Sequence, residues 1–111
     1  MAVLRVDRPG VPRHARLLVE GDLDMTTSPE LSTAIRAALG DGATAISVDL
    51  SGVGFLDSTG IRALFDGYLD ATRLGGELAV HAASDWVRRV LEISGVAEVL
   101  LAPATAEARG R

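Results

Sequence analysis

The apolar positions along the chain follow two periods. Residues 15–20 (ARLLVE) form a short apolar run closed by Gly21, the mark of a strand with Leu17 and Val19 on one side and Leu18 on the other. Residues 45–50 (AISVDL) alternate: Ile46, Val48 and Leu50 point one way, Ser47 and Asp49 the other. Residues 77–82 (ELAVHA) alternate again through Leu78, Val80 and Ala82. Between these runs the period lengthens. Leu31, Ile35 and Leu39, flanked by Ala34 and Ala38, predict a helix. It starts at Ser28-Pro29, where Ser can cap free N–H groups and Pro is preset for the first position, and it stops at Gly40 and Gly42. Ile61, Leu64, Phe65, Tyr68 and Leu69 form one stripe of a second helix that begins at Ser58 or Thr59 and ends at Gly75-Gly76. Ser84 caps a third helix carrying Trp86, Val87, Val90, Leu91 and Ile93, ended by Gly95.

At the N-terminus Val3, Leu4 and Val6 suit a first strand, and Pro9-Gly10 with Pro12 suit a turn. Residues 99–101 read as a last short strand, while 22–27 (DLDMTT) and 51–57 (SGVGFLD) read as loops. The order β-β-α-β-α-β-α-β implies an α/β domain. We expect a mixed, mostly parallel sheet of four to five strands with about three amphipathic helices. Polar Ser47 and Asp49 predict that one sheet face is only partly covered. The division is an N-terminal segment (1–14) with a candidate strand, a single domain (15–102) and a frayed tail (103–111).

Composition removes several classes of function. The chain has 111 residues, 48% of them hydrophobic, enough for one core. Its net charge is −4 and its basic residues are all Arg, so no basic face for nucleic acid is expected. No apolar run approaches the ~20 residues that span a bilayer, and Arg5, Asp7 and Arg8 interrupt any signal-peptide core. Membrane insertion is therefore not expected, and a cytoplasmic location is. Without Cys there is no disulfide, thiolate site or Cys nucleophile; with only His14 and His81, no His-rich metal site is expected either.

The richest candidate for chemistry is Asp57-Ser58-Thr59-Gly60. A hydrolase elbow G-x-S-x-G is spoiled by Leu56. An aspartic-protease Asp-Thr-Gly or Asp-Ser-Gly is interrupted by one residue, and a phosphate-binding loop lacks its Lys. No catalytic residue, cofactor or metal is assigned. The plainest account of Ser58-Thr59 is a helix cap worth ~1 kcal/mol. Asp22 and Asp24 could bracket a cation, but no calcium-loop pattern completes them, and a solvated acidic turn is favoured. Arg88-Arg89 reads as a wet helix face, and Trp86 as a core-edge residue rather than a partner anchor.

Residues 48–64 (VDLSGVGFLDSTGIRAL) resemble the signature of the STAS domain, the fold of bacterial anti-sigma factor antagonists. The GDLD at 21–24 and the LEISGV at 91–96 are similar to two further family stretches, so the resemblance covers about residues 15–101. It implies a protein-binding switch, not an enzyme. By that resemblance an anti-sigma factor of the serine-kinase type phosphorylates Ser58, a phosphatase resets it, and the unphosphorylated chain binds the anti-sigma factor and frees a sigma factor. Asp57, Thr59 and Gly60 would shape the loop of Ser58. Gly21, Asp22, Asp24 and Thr26 are candidate interface residues, and Arg62 is placed in the first turn to face the partner. The alternative the family allows is an accessory subunit of a lipid-transport ATPase.

Overall fold

Three rows of alternating apolar residues are buried as the pattern requires. Ala15, Leu17 and Val19, then Ile46, Val48 and Leu50, then Leu78 and Val80 are each no more than 2% exposed. The computed structural model describes residues 3–7 and 12–102. These rows belong to β2 (His14–Leu23), β3 (Ala45–Leu56) and β4 (Glu77–Ala83), with β1 (Val3–Asp7) beside β2. The sheet runs β1-β2-β3-β4. β1 is antiparallel to β2, and β2, β3 and β4 are mutually parallel. Parallel neighbours need crossovers, and these are α1 (Ser28–Gly40) and α2 (Ser58–Arg73). They are followed by α3 (Asp85–Ile93) and a single turn, α4 (Ala97–Leu100). The expected mixed, mostly parallel four-stranded sheet is present; the Pro9-Gly10 turn and the tail 103–111 lie outside the described residues.

Three elements differ from the sequence expectation. β3 does not stop at Leu50 but continues through the glycine-bearing segment to Leu56, because Glu20, Gly21, Asp22 and Leu23 pair with Gly52, Val53, Phe55 and Leu56. By the same pairing, the expected loop 22–27 shrinks to a turn after Leu23. The expected strand at 99–101 is instead mostly α4. Val96 accepts backbone bonds from Val99 and Leu100, and only Leu101 makes a bridge to Val80. A helical turn lets Leu100 bury completely.

α2 also turns inward a face that matches the expected stripe only in part. Leu64 of the expected stripe is buried, and Ile61 and Tyr68 pack against the core, but Gly60, Ala63, Gly67 and Ala71 are buried as well, while Leu69 is 40% exposed. The reason is close packing on α1: a Cβ on Gly67 would lie 2.8 Å from Ile35 Cδ1. On the outer sheet face, His14, Arg16, Ser47, Asp49 and His81 line an open hollow, and His14 Nε2 sits 2.8 Å from Ser47 Oγ. That is the partly covered face that alternating Ser47 and Asp49 imply.

Candidate functional site

β2 and β3 end in register, Leu23 beside Leu56, so the residues that follow emerge at one edge of the sheet. The Asp57 amide donates to the Leu23 carbonyl at 3.2 Å and ties the two exits together. Each strand is followed by the same three-residue pattern, Asp24-Met25-Thr26 and Asp57-Ser58-Thr59, and the geometry is the same too. Asp24 Oδ1 accepts from the Thr26 amide (3.0 Å), the Thr26 hydroxyl (2.7 Å) and the Thr27 amide (3.1 Å). Asp57 Oδ1 accepts from the Thr59 amide (2.9 Å), the Thr59 hydroxyl and the Gly60 amide (3.2 Å). One carboxylate oxygen thereby satisfies amides that a helix start leaves unpaired.

The cap of α2 is therefore Asp57, in extended conformation, and not Ser58 or Thr59. At α1 the cap position is Thr27 and not Ser28. Thr27 is buried; its hydroxyl accepts from the Asp24 amide (2.9 Å) and donates to the Asp22 carbonyl (2.8 Å). Ser28 is the first residue of α1, with its hydroxyl 3.4 Å from that of Thr59. The two turns thus touch through Ser28 and Thr59.

The electrostatics follow from these bonds. The Thr59 hydroxyl, helped by the Gly60 and Thr59 amides, holds the Asp57 carboxyl below its ordinary value; some desolvation and the charge of Asp24 push the other way. The Thr26 hydroxyl does the same for Asp24, with amide help from Thr26 and Thr27 against some desolvation. Both are ionised at neutral pH, so the edge carries two negative charges.

Residues between Asp and Thr take no part in either turn. Met25 is 72% exposed. Ser58 is exposed, and its hydroxyl makes no hydrogen bond to another described residue. Gly60 is buried, where a Cβ would lie 2.6 Å from Leu56 Cδ1 and 3.0 Å from the Leu23 carbonyl oxygen. Arg62 stands exposed one turn along α2, its Nε 3.7 Å from Asp66 Oδ2. Asp24, Thr26, Asp57, Ser58, Thr59 and Gly60 are thus brought to one edge. Gly21 and Asp22 lie further back in β2, Gly21 with φ +97° beside an irregularity in the ladder. Among the described residues no group of three or more acidic or His side chains converges as a metal site.

Three features escape the sequence analysis. Met25 and Thr27 read there only as parts of a polar loop; the repeated D-x-T after two strands was the available signal. Phe55 and Trp86 stack on the surface with centroids 5.9 Å apart and planes at 26°. Trp86 is 47% exposed and Phe55 43%, so Trp86 is a surface residue and not one tucked against the core. Its offset from the buried pair Val87 and Leu91 was the signal.

A family model described as "Mlab, STAS domain" matches residues 6–102. The chain is 37% identical over 98 residues to an anti-sigma-B factor antagonist of Staphylococcus aureus, covering 87% of this chain and 90% of that protein. The crystal structure of an anti-sigma factor antagonist from Mycobacterium paratuberculosis superposes with a TM-score of 0.81 at 28% identity, covering 99% of this chain and 92% of that one. The anti-sigma factor antagonist SpoIIAA in its unphosphorylated form shares the fold, with a TM-score of 0.79 at 21% identity and 98% of each chain covered.

Proposed function

The chain belongs to the STAS domain family, and from that premise we propose that it is an anti-sigma factor antagonist switched by phosphorylation of Ser58. In this reading it is a cytoplasmic binding regulator rather than an enzyme. It engages an anti-sigma factor of the serine-kinase type through the edge formed by Asp24, Thr26 and residues 57–60, with Arg62 beside it and Gly21 and Asp22 behind. The observation that carries the reading is the division of labour at α2. Asp57 satisfies the helix amides, which leaves the exposed Ser58 hydroxyl without a structural duty and open to another protein. The curated relative and the crystallised relative that are more than 25% identical both bear the antagonist name, which supports the same class.

The switch follows from charge. The Ser58 Oγ attacks the γ-phosphorus of ATP, the bond to ADP breaks, and the hydroxyl proton passes to a base of the kinase; a phosphatase later hydrolyses the ester. The phosphate adds about −1.5 to −2 charges beside the Asp57 and Asp24 carboxylates. The helix N-terminus tolerates that charge, so the fold is retained. A partner surface matched to a neutral hydroxyl meets repulsion and desolvation instead, and a loss of roughly 3–4 kcal/mol lowers affinity several hundred-fold.

The test titrates wild type, Ser58→Ala and Ser58→Asp against the cognate anti-sigma factor, with and without ATP. Ser58→Ala should bind in both conditions, wild type should lose affinity with ATP, and Ser58→Asp should be weakened in part. Equal affinity for all three in both conditions would remove Ser58 from the mechanism and move the reading to a transporter subunit.

A further inference from the structure

Arg62 stands four residues after Ser58 and four before Asp66 on α2, so the three side chains form one row along the helix surface. Its present partner is a weak one. The Nε to Asp66 distance is 3.7 Å, and the two side chains are 82% and 58% exposed. The pair also has the less favourable order, because helix pairs at this spacing are stronger when the acid precedes the base. A phosphate on Ser58 would offer Arg62 the better order, about 1.5 to 2 times the charge of a carboxylate, and oxygens that a guanidinium can grip in bidentate fashion.

We propose, resting on the reading of Ser58 as a phosphorylated residue, that Arg62 is the phosphate ligand of the switch. On phosphorylation its guanidinium leaves Asp66 and pairs with phospho-Ser58 one turn back. Asp57 and Asp24 make such a cation useful: Asp57 directly precedes Ser58 and Asp24 already acts on Asp57 as a like charge, so both would oppose a phosphate there. The exchange also carries the signal along the surface. Arg62 and Asp66 line the groove between α1 and α2, together with Met25, Thr59 and Arg36. When Arg62 turns away, Asp66 loses that partner and Arg36 is the cation that remains beside it in the groove. A partner then meets added negative charge one turn beyond the phosphate as well as at it.

The measurement uses the full chain with phosphoserine installed at position 58 during translation, so that no kinase is needed. Phosphorus NMR follows the second ionisation of the phosphate, ordinarily near pH 6, in wild type, Arg62→Gln and Arg62→Lys. Asp24 and Asp57 at the edge, Asp66 on α2 and Arg36 from α1 are unchanged in all three, so their effects cancel. The midpoint should be about 0.2–0.4 lower in wild type than in Arg62→Gln, the size expected of an exposed helix pair, and Arg62→Lys should keep most of the difference. The Arg62 Nε–H resonance should move with the same midpoint as the phosphorus signal. An Arg62→Gln curve superimposed on wild type, or an Nε–H signal that stays fixed, overturns the exchange. Failure of ATP to label Ser58 in the partner experiment would instead remove the kinase switch and leave this result standing on its own.

Discussion

Asp57 and Asp24 each hold a strand-to-helix corner with a single carboxylate oxygen, and the consequences are separable from those of Ser58. Asp57→Ala removes the bonds to the Thr59 and Gly60 amides, so it should lower Tm by several degrees. Ser58→Ala and Ser58→Asp touch no hydrogen bond of the described residues and should leave Tm nearly unchanged. Calorimetry of the three variants checks this; a Ser58→Ala loss as large as that of Asp57→Ala would mean the hydroxyl has a structural role. The same bonds set a pH dependence. Both carboxyls have folded values lowered from 3.8, so the stability they add is complete above about pH 4 and is lost as pH falls through the lowered values. Acid titration of Tm should therefore be flatter below pH 4 in an Asp24→Asn, Asp57→Asn double variant than in wild type. At this scale the sequence told the helix start but not the capping residue. Asp, Ser and Thr are all good caps, and a one-residue offset among three such neighbours is decided by backbone geometry that composition does not carry.

At the scale of elements, the site depends on α2 starting close against the ends of β2 and β3, and Gly60 is what allows it. Helix propensity alone would favour alanine here by about 1 kcal/mol. The added methyl, however, would meet Leu56 Cδ1 at 2.6 Å and the Leu23 carbonyl oxygen at 3.0 Å. The side chain can turn away, but the backbone oxygen is held by its bond from the Asp57 amide. Gly60→Ala should thus be destabilising by ~1–3 kcal/mol, seen as a lower urea midpoint at unchanged m. Gly54→Ala, where nothing lies within 4 Å, is the matched control and should lose nothing. Equal midpoints for the two variants would show that α2 can shift away at no cost. The elements that the sequence misjudged have one cause in common. The glycines in 51–57 look like a loop until β2 pairs with them, residues 99–101 look like a strand until Leu100 finds the core, and α2 looks led by its large residues until α1 selects the small ones. Local pattern reports period, while the partner chooses length and face.

Over the whole molecule, the candidate edge lies at the carboxyl ends of parallel strands, where open α/β sheets commonly hold their sites, while the polar outer sheet face lies elsewhere. Both were legible in outline: the edge from the D-S-T-G at a helix start, the open face from alternating Ser47 and Asp49. The meeting of Asp24 with Asp57 was not, because it needs the register Leu23 beside Leu56. That meeting makes the proposed switch an electrostatic one set in an already acidic chain of net charge −4. It follows that the penalty of phosphorylation should depend on salt. Exposed charges act over a Debye length of about 10 Å at 0.1 M and about 3 Å at 1 M. Asp24, Asp57 and the phosphate would sit at an accessible rim, so their repulsion of a partner should be screened, whereas burial of a dehydrated phosphate would not be relieved. Affinities of the unphosphorylated and phospho-Ser58 chains for the anti-sigma factor, measured from 0.05 to 1 M NaCl, should therefore converge as salt rises, with the phosphorylated chain gaining relative to the other. A constant ratio across that range would mean that the phosphate blocks docking by bulk and desolvation, and would take Asp24 and Asp57 out of the switch.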